Sequence, residues 1–306
     1  MELFISIIIL LVTLAGLWKG ADILVDSATA IAQRFGISDL VIGLTVVAIA
    51  TSAPEFVVTI SAALAGKDGI SVGNVVGSNI FNLYFILGLV AVLSVVPTSR
   101  KLVYRDGSVL IGTTLLILLF LSDLTLERWE GITMIGILIF YVTYLILAKE
   151  SSEEIERMPF TRYTWMLFFL GTGIVVTSGH FFVTAASDIA RFFGLSEWAI
   201  GVTIVAAGTS APEMAASIVA LVKKRYGMSA GNLVGSDIFN LLGVLGLAAL
   251  LNPLNITSES FGSLGILTFG VFVVVAFMRT GWKLSKTEGV ILLAVVAVRW
   301  YFDLSR

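Results

Sequence analysis

Ala48-Ile49-Ala50-Thr51-Ser52-Ala53-Pro54-Glu55 lies inside a long apolar run, and the chain repeats it almost unchanged as Ala206-Ala207-Gly208-Thr209-Ser210-Ala211-Pro212-Glu213. A carboxylate is thus placed in an apolar segment twice, each time directly after a proline. Proline has no N–H and its ring presses on the carbonyl four residues back, so the Ala50 and Gly208 carbonyls are expected to lose their helical partners. Free carbonyls, Thr and Ser hydroxyls and a carboxylate then converge at each break. Inside a bilayer, broken helix backbone is tolerated only where protein buries it or where it lines a polar cavity. Such a gathering of oxygen suits a hard cation, calcium or sodium.

The composition around these stretches is that of a membrane protein. Of 306 residues, 58% are hydrophobic and 13% charged, far more apolar surface than a soluble core of this size buries. Runs such as Leu102 to Leu121 reach the roughly 20 residues that cross a bilayer as helix. Their length and weak alternation argue against an outer-membrane barrel. The expected fold is an all-α integral membrane protein with about ten transmembrane helices. They are placed at 3–32, 39–65, 70–94, 102–122, 128–148, 162–190, 197–222, 228–251, 261–279 and 285–302. A net charge of −2 and a single His give no signal for nucleic acid, and zero Cys excludes disulfides, thiolate metal sites and cysteine nucleophiles. Met1 to Leu17 lacks a basic leader and reads as a retained first span.

One constant shift, without a gap, takes Phe35-Gly36 to Phe193-Gly194, Gly43 to Gly201, Thr45 to Thr203, Glu55 to Glu213, and Gly73-Asn74 to Gly231-Asn232. The chain is an internal duplication. Residues 1–148 form a first half, 149–161 a short acidic linker (Glu150, Glu153, Glu154, Glu156), and 162–306 a second half. With five spans each, the second half enters the membrane from the opposite side, so the repeats are inverted in topology. The charges agree. Arg34, Arg100, Lys101, Arg105, Lys149, Arg157, Arg162, Lys223, Lys224, Arg225, Arg279, Lys283 and Lys286 fall on one face, against Lys67, Arg128, Arg191, Arg299 and Arg306 on the other. By the positive-inside rule the richer face is cytoplasmic, with the linker there and both termini outside a plasma membrane.

A second repeated block runs from Gly73 to Asn82 (Gly-Asn-Val-Val-Gly-Ser-Asn-Ile-Phe-Asn) and from Gly231 to Asn240 (Gly-Asn-Leu-Val-Gly-Ser-Asp-Ile-Phe-Asn). Ser78 and Asn82 are four apart, as are Ser236 and Asn240, so each pair presents oxygen from one helix face. Alone, such blocks are as well read as glue between membrane helices. Glu55 and Glu213 change the balance, because an ionisable residue within a span is a functional candidate by default. Two ionised carboxylates close together repel unless a cation sits between them. A divalent ion offsets both charges, and several monovalent ions do so at neighbouring oxygens.

These Thr-Ser-Ala-Pro-Glu and Gly-Asn-x-x-Gly-Ser-x-x-x-Asn blocks, present in both halves, resemble the alpha-repeats of the cation/calcium antiporter superfamily, most nearly its prokaryotic sodium/calcium exchangers. The resemblance covers essentially the whole chain. It implies ten helices in two inverted five-helix repeats, a four-part ion site at the centre, and alternating access of that site to sodium and calcium. It implies Glu55 and Glu213 as central calcium ligands that also bind sodium, helped by Thr51 and Thr209 and by the carbonyls of Ala48 and Ala206. Ser52, Ser78, Ser210 and Ser236 would complete the sodium sites, with Asn82 and Asn240 closing the central diamond. Asn240 stands where potassium-dependent members carry Asp, which favours a potassium-independent exchanger. Ala50 replaces the Gly seen at Gly208. Asp237, the repeat mate of Asn79, either adds a third charge to the site or bonds to a neighbouring helix. Family members also slide their first and sixth helices past the other eight.

The expected activity is therefore sodium/calcium antiport by one self-sufficient chain, a monomer in the lipid bilayer, with the transported ions as its only partners and no cofactor. Proton/calcium exchange on the same fold is the nearer rival, because carboxylates also carry protons. A cation channel ranks lower, since one chain supplies both halves of a closed site. No Gly-rich phosphate loop marks a primary pump. A hydrolase using Glu55 and Glu213 as acid and base ranks last, so the chain is not expected to be an enzyme. His180, Asp22, Asp26 and Asp188 read as interfacial or packed residues rather than proton relays.

Overall fold

The computed structural model describes residues 2–148, 158–194 and 206–304. Its helices are α1 (Glu2–Phe35), α2 (Asp39–Thr51), α3 (Ala53–Leu64), α4 (Asp68–Leu93), α5 (Leu102–Asp123) and α6 (Arg128–Leu147). They continue as α7 (Thr164–Phe192), α8 (Ala211–Val222), α9 (Tyr226–Leu251), α10 (Ser258–Arg279) and α11 (Lys286–Leu304). By length and composition, seven of the described helices can each cross a membrane, and the bent pair α2 and α3 makes an eighth. Two further expected spans fall short for identifiable reasons. The start of the one at 197–222 lies outside the described residues, as do linker positions 149–157, Gly201 and Thr203, and α11 carries several charges, Arg299 among them. Large apolar side chains such as Leu119, Phe140, Leu147 and Phe169 face outward and are mostly exposed, as lipid-facing positions are.

Helix starts follow local chemistry that the two halves share. Ser99 Oγ accepts from Leu102 N (3.1 Å) to start α5, and Thr257 Oγ1 accepts from Ser260 N (3.3 Å) to start α10. Glu130 Oε2 accepts from Glu127 N (2.8 Å) at α6, and Glu288 Oε2 from Ser285 N (2.7 Å) at α11, the return bond of a capping box. Small residues then let helices cross closely: α6 meets α9 at Gly131 and Gly246, and α11 meets α4 at Gly289 and Gly88.

Two elements depart from the expected uninterrupted helices. Short antiparallel strands join the helix ends, β1 (Val96–Pro97) with β4 (Lys283–Leu284) and β2 (Thr125–Leu126) with β3 (Leu254–Asn255). The shift that takes Glu55 to Glu213 also takes β1 to β3 and β2 to β4, so each pair joins one half to the other. The helices also widen into π-helix at matched places, Phe81–Ile86 in α4 and Phe239–Val244 in α9, with a further π-turn at Gly43–Val47 in α2. Such bulges commonly mark functional sites.

The core divides in two. α1 and α7 lie along each other and, with parts of α2 and α8, enclose a cluster around Leu24, Val25, Ala28 and Val175. The remaining helices share a larger cluster around Leu83, Leu87, Leu241 and Leu245.

Candidate ion site

The proline stretches do more than kink a span. α2 stops at Thr51 and α3 restarts at Ala53, turned by 51°. Pro54 and Pro212 occupy the first turn of α3 and α8, where a missing N–H costs nothing. Glu55 and Glu213 therefore sit in the first turn of a new helix, whose exposed N–H groups favour negative charge. Gly208 is needed here, because a Cβ on it would run into Val183 of α7.

Each carboxylate is held by the opposite half. Ser52 Oγ donates to Glu213 Oε1 (2.9 Å) and Ser210 Oγ donates to Glu55 Oε1 (3.0 Å). Ser236 Oγ reaches Glu213 Oε1 at 3.4 Å and the Ala48 carbonyl at 3.5 Å. Thr51 Oγ1 lies 3.5 Å from Ser236 Oγ, and Ser78 Oγ lies 3.2 Å from Thr209 Oγ1. Thr51 also approaches the Ala48 carbonyl at 3.3 Å, so that carbonyl belongs to the same oxygen cluster. Ala206 opens the short helical turn that runs to Gly208, ahead of α8.

Below the carboxylates, α4 and α9 exchange amides. Asn82 Nδ2 donates to Asp237 Oδ1 (3.0 Å) and Asn240 Nδ2 to Asn79 Oδ1 (3.3 Å). Asp237 thus bonds across to a neighbouring helix, one of the two roles open to it. Among the described residues, no group of three or more His, Cys, Asp or Glu gathers around one point. The donor set is a pair of carboxylates supplemented by neutral oxygen, the composition a hard cation prefers.

Glu55, Glu213, Asp237, Asn82, Asn240, Ser52, Ser210 and Ser236 have no solvent exposure, and Thr51 and Ser78 almost none; Thr209 is half-buried. Five of their oxygens have no protein donor: Glu55 Oε2, Glu213 Oε2, Asn82 Oδ1, Asn240 Oδ1 and Asp237 Oδ2. A buried acceptor left unsatisfied costs about 1–3 kcal/mol, more if charged. Positive charge brought among them would remove that cost.

The sequence reading missed a supporting layer. Asn74 Nδ2 donates to the Glu55 carbonyl (3.3 Å) and Thr59 Oγ1 (3.0 Å), and Asn232 Nδ2 to the Glu213 carbonyl (3.2 Å) and Ser217 Oγ (3.0 Å). The signal was present, since the repeat shift maps Asn74 to Asn232 and Thr59 to Ser217, both hydroxyl residues. The other polar candidates stand apart from the site. His180 is exposed against Phe181, Asp188 pairs with Arg191 (2.9 Å), and Asp22 and Asp26 bind Lys223 (2.5 and 2.6 Å).

A helical membrane protein with paired, buried, cross-braced carboxylates at two helix breaks belongs to the class of ion transporters. Comparison with known proteins gives the family. The sequence model of the sodium/calcium exchanger protein family matches residues 5–147 and 163–302, and the chain belongs to that family, one of exchangers rather than enzymes. It is 35% identical to CaxA of Alkalimonas amylolytica, over 95% of this chain and 96% of that protein. It is 30% identical to the sodium/calcium exchanger MaX1 of Methanosarcina acetivorans, over 94% and 95%. The fold matches the sodium-calcium exchanger NCX_Mj, solved from crystals soaked with Na+ and Sr2+, with a TM-score of 0.85 at 28% identity, covering 97% and 98% of the two chains.

Proposed function

We propose that this protein is a sodium/calcium antiporter that moves both ions through one buried site by alternating access, with sodium entry driving calcium out. The observation that carries the reading is the pair Glu55 and Glu213, each held through one oxygen by a serine of the opposite half and each presenting a second, unpartnered oxygen. Calcium would sit between the two carboxylates, with Thr51, Thr209 and the carbonyls of Ala48 and Ala206. Sodium would use Ser52, Ser78, Ser210 and Ser236 with the same carboxylates. Asn82 and Asn240 would close the centre, and Asp237 would orient Asn82 rather than bind the ion.

The architecture we infer is ten spans in two inverted five-helix halves, working as a monomer in the plasma membrane. The strand pairs support it: β1 and β4 belong to loops the charge bias places in the cytoplasm, and β2 and β3 to loops it places outside. So does the exchange symmetry of two contacts, Ser52 with Glu213 against Ser210 with Glu55 and Thr51 with Ser236 against Thr209 with Ser78.

The deciding experiment is calcium-45 uptake into proteoliposomes loaded with sodium, with external sodium replaced by choline, by potassium, or by choline plus a proton gradient. Uptake that needs internal sodium and ignores potassium is expected. Buried carboxylates also accept protons, so uptake that persists without sodium and follows the proton gradient would make this a proton/calcium exchanger with the same site.

A further inference from the structure

At the β1·β4 end of the molecule three exposed side chains, Arg100, Tyr104 and Arg279, gather around the half-buried Trp282. Tyr104 and Trp282 meet edge to face with centroids 5.5 Å apart. The Arg279 guanidinium lies 4.3 Å from the Trp282 centroid and 5.8 Å from that of Tyr104, and its Nε donates to the Tyr104 hydroxyl at 2.6 Å. Arg100 approaches the same indole at 5.5 Å. Lys283 and Lys286 stand exposed alongside. Nearby acids are already engaged: Asp106 binds Arg105 and the Tyr141 hydroxyl, and Glu288 caps α11 through Ser285. Among the described residues no carboxylate pairs with Arg100 or Arg279.

The duplication supplies an internal control. α5 separates this end from the β2·β3 end by roughly 33 Å, at 1.5 Å per residue. The strand pairing and the left-handed turn residue recur there, Trp282 with φ 55° and its counterpart Leu124 with φ 68°, although Gly281 (φ 65°) adds a second left-handed residue that its counterpart Asp123 does not. The counterparts of Arg100, Tyr104, Arg279 and Trp282 are Ser258, Gly262, Leu121 and Leu124. The strand pair, the cap and the turn thus form without any of the four cluster residues. That other end is instead acidic, with Asp123 and Glu127 exposed. The two arginines are surplus to the fold, whereas Trp282, like its counterpart Leu124, packs on the larger core, and the cluster has the opposite charge to its structural twin.

We propose that this cluster binds the phosphate of an anionic phospholipid. Two guanidinium groups 4.3 and 5.5 Å from one indole centroid offer paired N–H donors suited to phosphate oxygens, and Trp and Tyr favour headgroup depth. Below the cluster α10 presents exposed apolar side chains, Phe272 and Phe269, about 10 and 15 Å along the helix from Arg279. A lipid satisfies both features, its phosphate at the arginines and its acyl chains on the helix. A free phosphate satisfies only the first.

The test is native mass spectrometry of the full chain in neutral detergent, titrated with dioleoylphosphatidylglycerol or dioleoylphosphatidylcholine. Phosphatidylglycerol is expected to bind roughly tenfold or more tightly than phosphatidylcholine, since each cation near an anionic headgroup contributes about 1 kcal/mol. Arg100→Ser with Arg279→Leu, which copies the other end, should abolish that preference. Trp282→Leu should weaken it, and the double arginine variant should keep the wild-type melting temperature. Equal binding of the two lipids, or a preference untouched in the folded double variant, would overturn the proposal. Displacement of the lipid by equimolar soluble glycerol phosphate would overturn it too, in favour of a free phosphate site.

Discussion

Glu55 and Glu213 are equivalent by repeat but not in their surroundings. Ser52 donates to Glu213 Oε1 and Ser210 to Glu55 Oε1, but Thr51 beside Ser52 is almost fully buried whereas Thr209 beside Ser210 is half-buried. Glu55→Gln or Glu213→Gln should each lower calcium exchange by roughly 100-fold or more, beyond the 10–100-fold typical of a residue that only supports a ligand. Ser52→Ala and Ser210→Ala remove one hydrogen bond to a charged group, worth about 1.5–3 kcal/mol. Each is expected to raise the half-saturating calcium concentration by about ten- to a hundredfold. Asp237 gives a sharper contrast. Asp237→Asn keeps an acceptor for Asn82 and should exchange calcium within a few-fold of wild type, whereas Asp237→Leu strips that acceptor and should not; equal loss in both would make Asp237 a ligand.

At the scale of elements, helix contacts decide which parts can move and which cannot. α9 presses on α2 so closely that a Cβ on Gly235 would lie 2.5 Å from the Leu44 carbonyl. Backbone cannot yield as a side-chain tip can, so Gly235→Ala is expected to cost about 1–3 kcal/mol, read as a lower melting temperature in detergent. α1 packs closely on α7 but is joined to the end of α8 by ion pairs. Lys223, at the end of α8, holds Asp22 and Asp26 of α1, all three partly exposed, and partly exposed pairs contribute under about 1 kcal/mol each. Their repeat counterparts, Ala65, His180 and Thr184, cannot form the same pairs. Lys223→Ala should therefore change the melting temperature by only about 1–3 °C while speeding hydrogen exchange in α1 around Asp22 to Asp26. A protected α1 in that variant would mean its packing on α7 alone fixes it.

For the whole molecule, the proposed inverted arrangement can be tested directly, because the chain has no Cys to remove. Lys283→Cys and Asn255→Cys, in β4 and β3, should be modified by a membrane-impermeant maleimide from opposite sides of intact cells, Asn255→Cys from outside. Labelling of both from one side would refute the topology. Much of this organisation was legible in the sequence: the apolar runs, the shift from Glu55 to Glu213, and the proline-glutamate breaks follow from composition and spacing, which a bilayer reads almost literally because it forbids unsatisfied backbone. Helix period and duplication likewise marked Ser78 and Asn82 with Ser236 and Asn240 as one-faced pairs. Which partner each group meets was not legible. That Ser52 serves Glu213 and Ser210 serves Glu55, that Asp237 takes the Asn82 amide, that Asn74 and Asn232 brace the carbonyls behind the carboxylates, and that Arg279 lies on Trp282 are contacts between residues far apart in the chain. Periodicity fixes which face of a helix a side chain occupies, but only the packing of one helix on another fixes what stands opposite it.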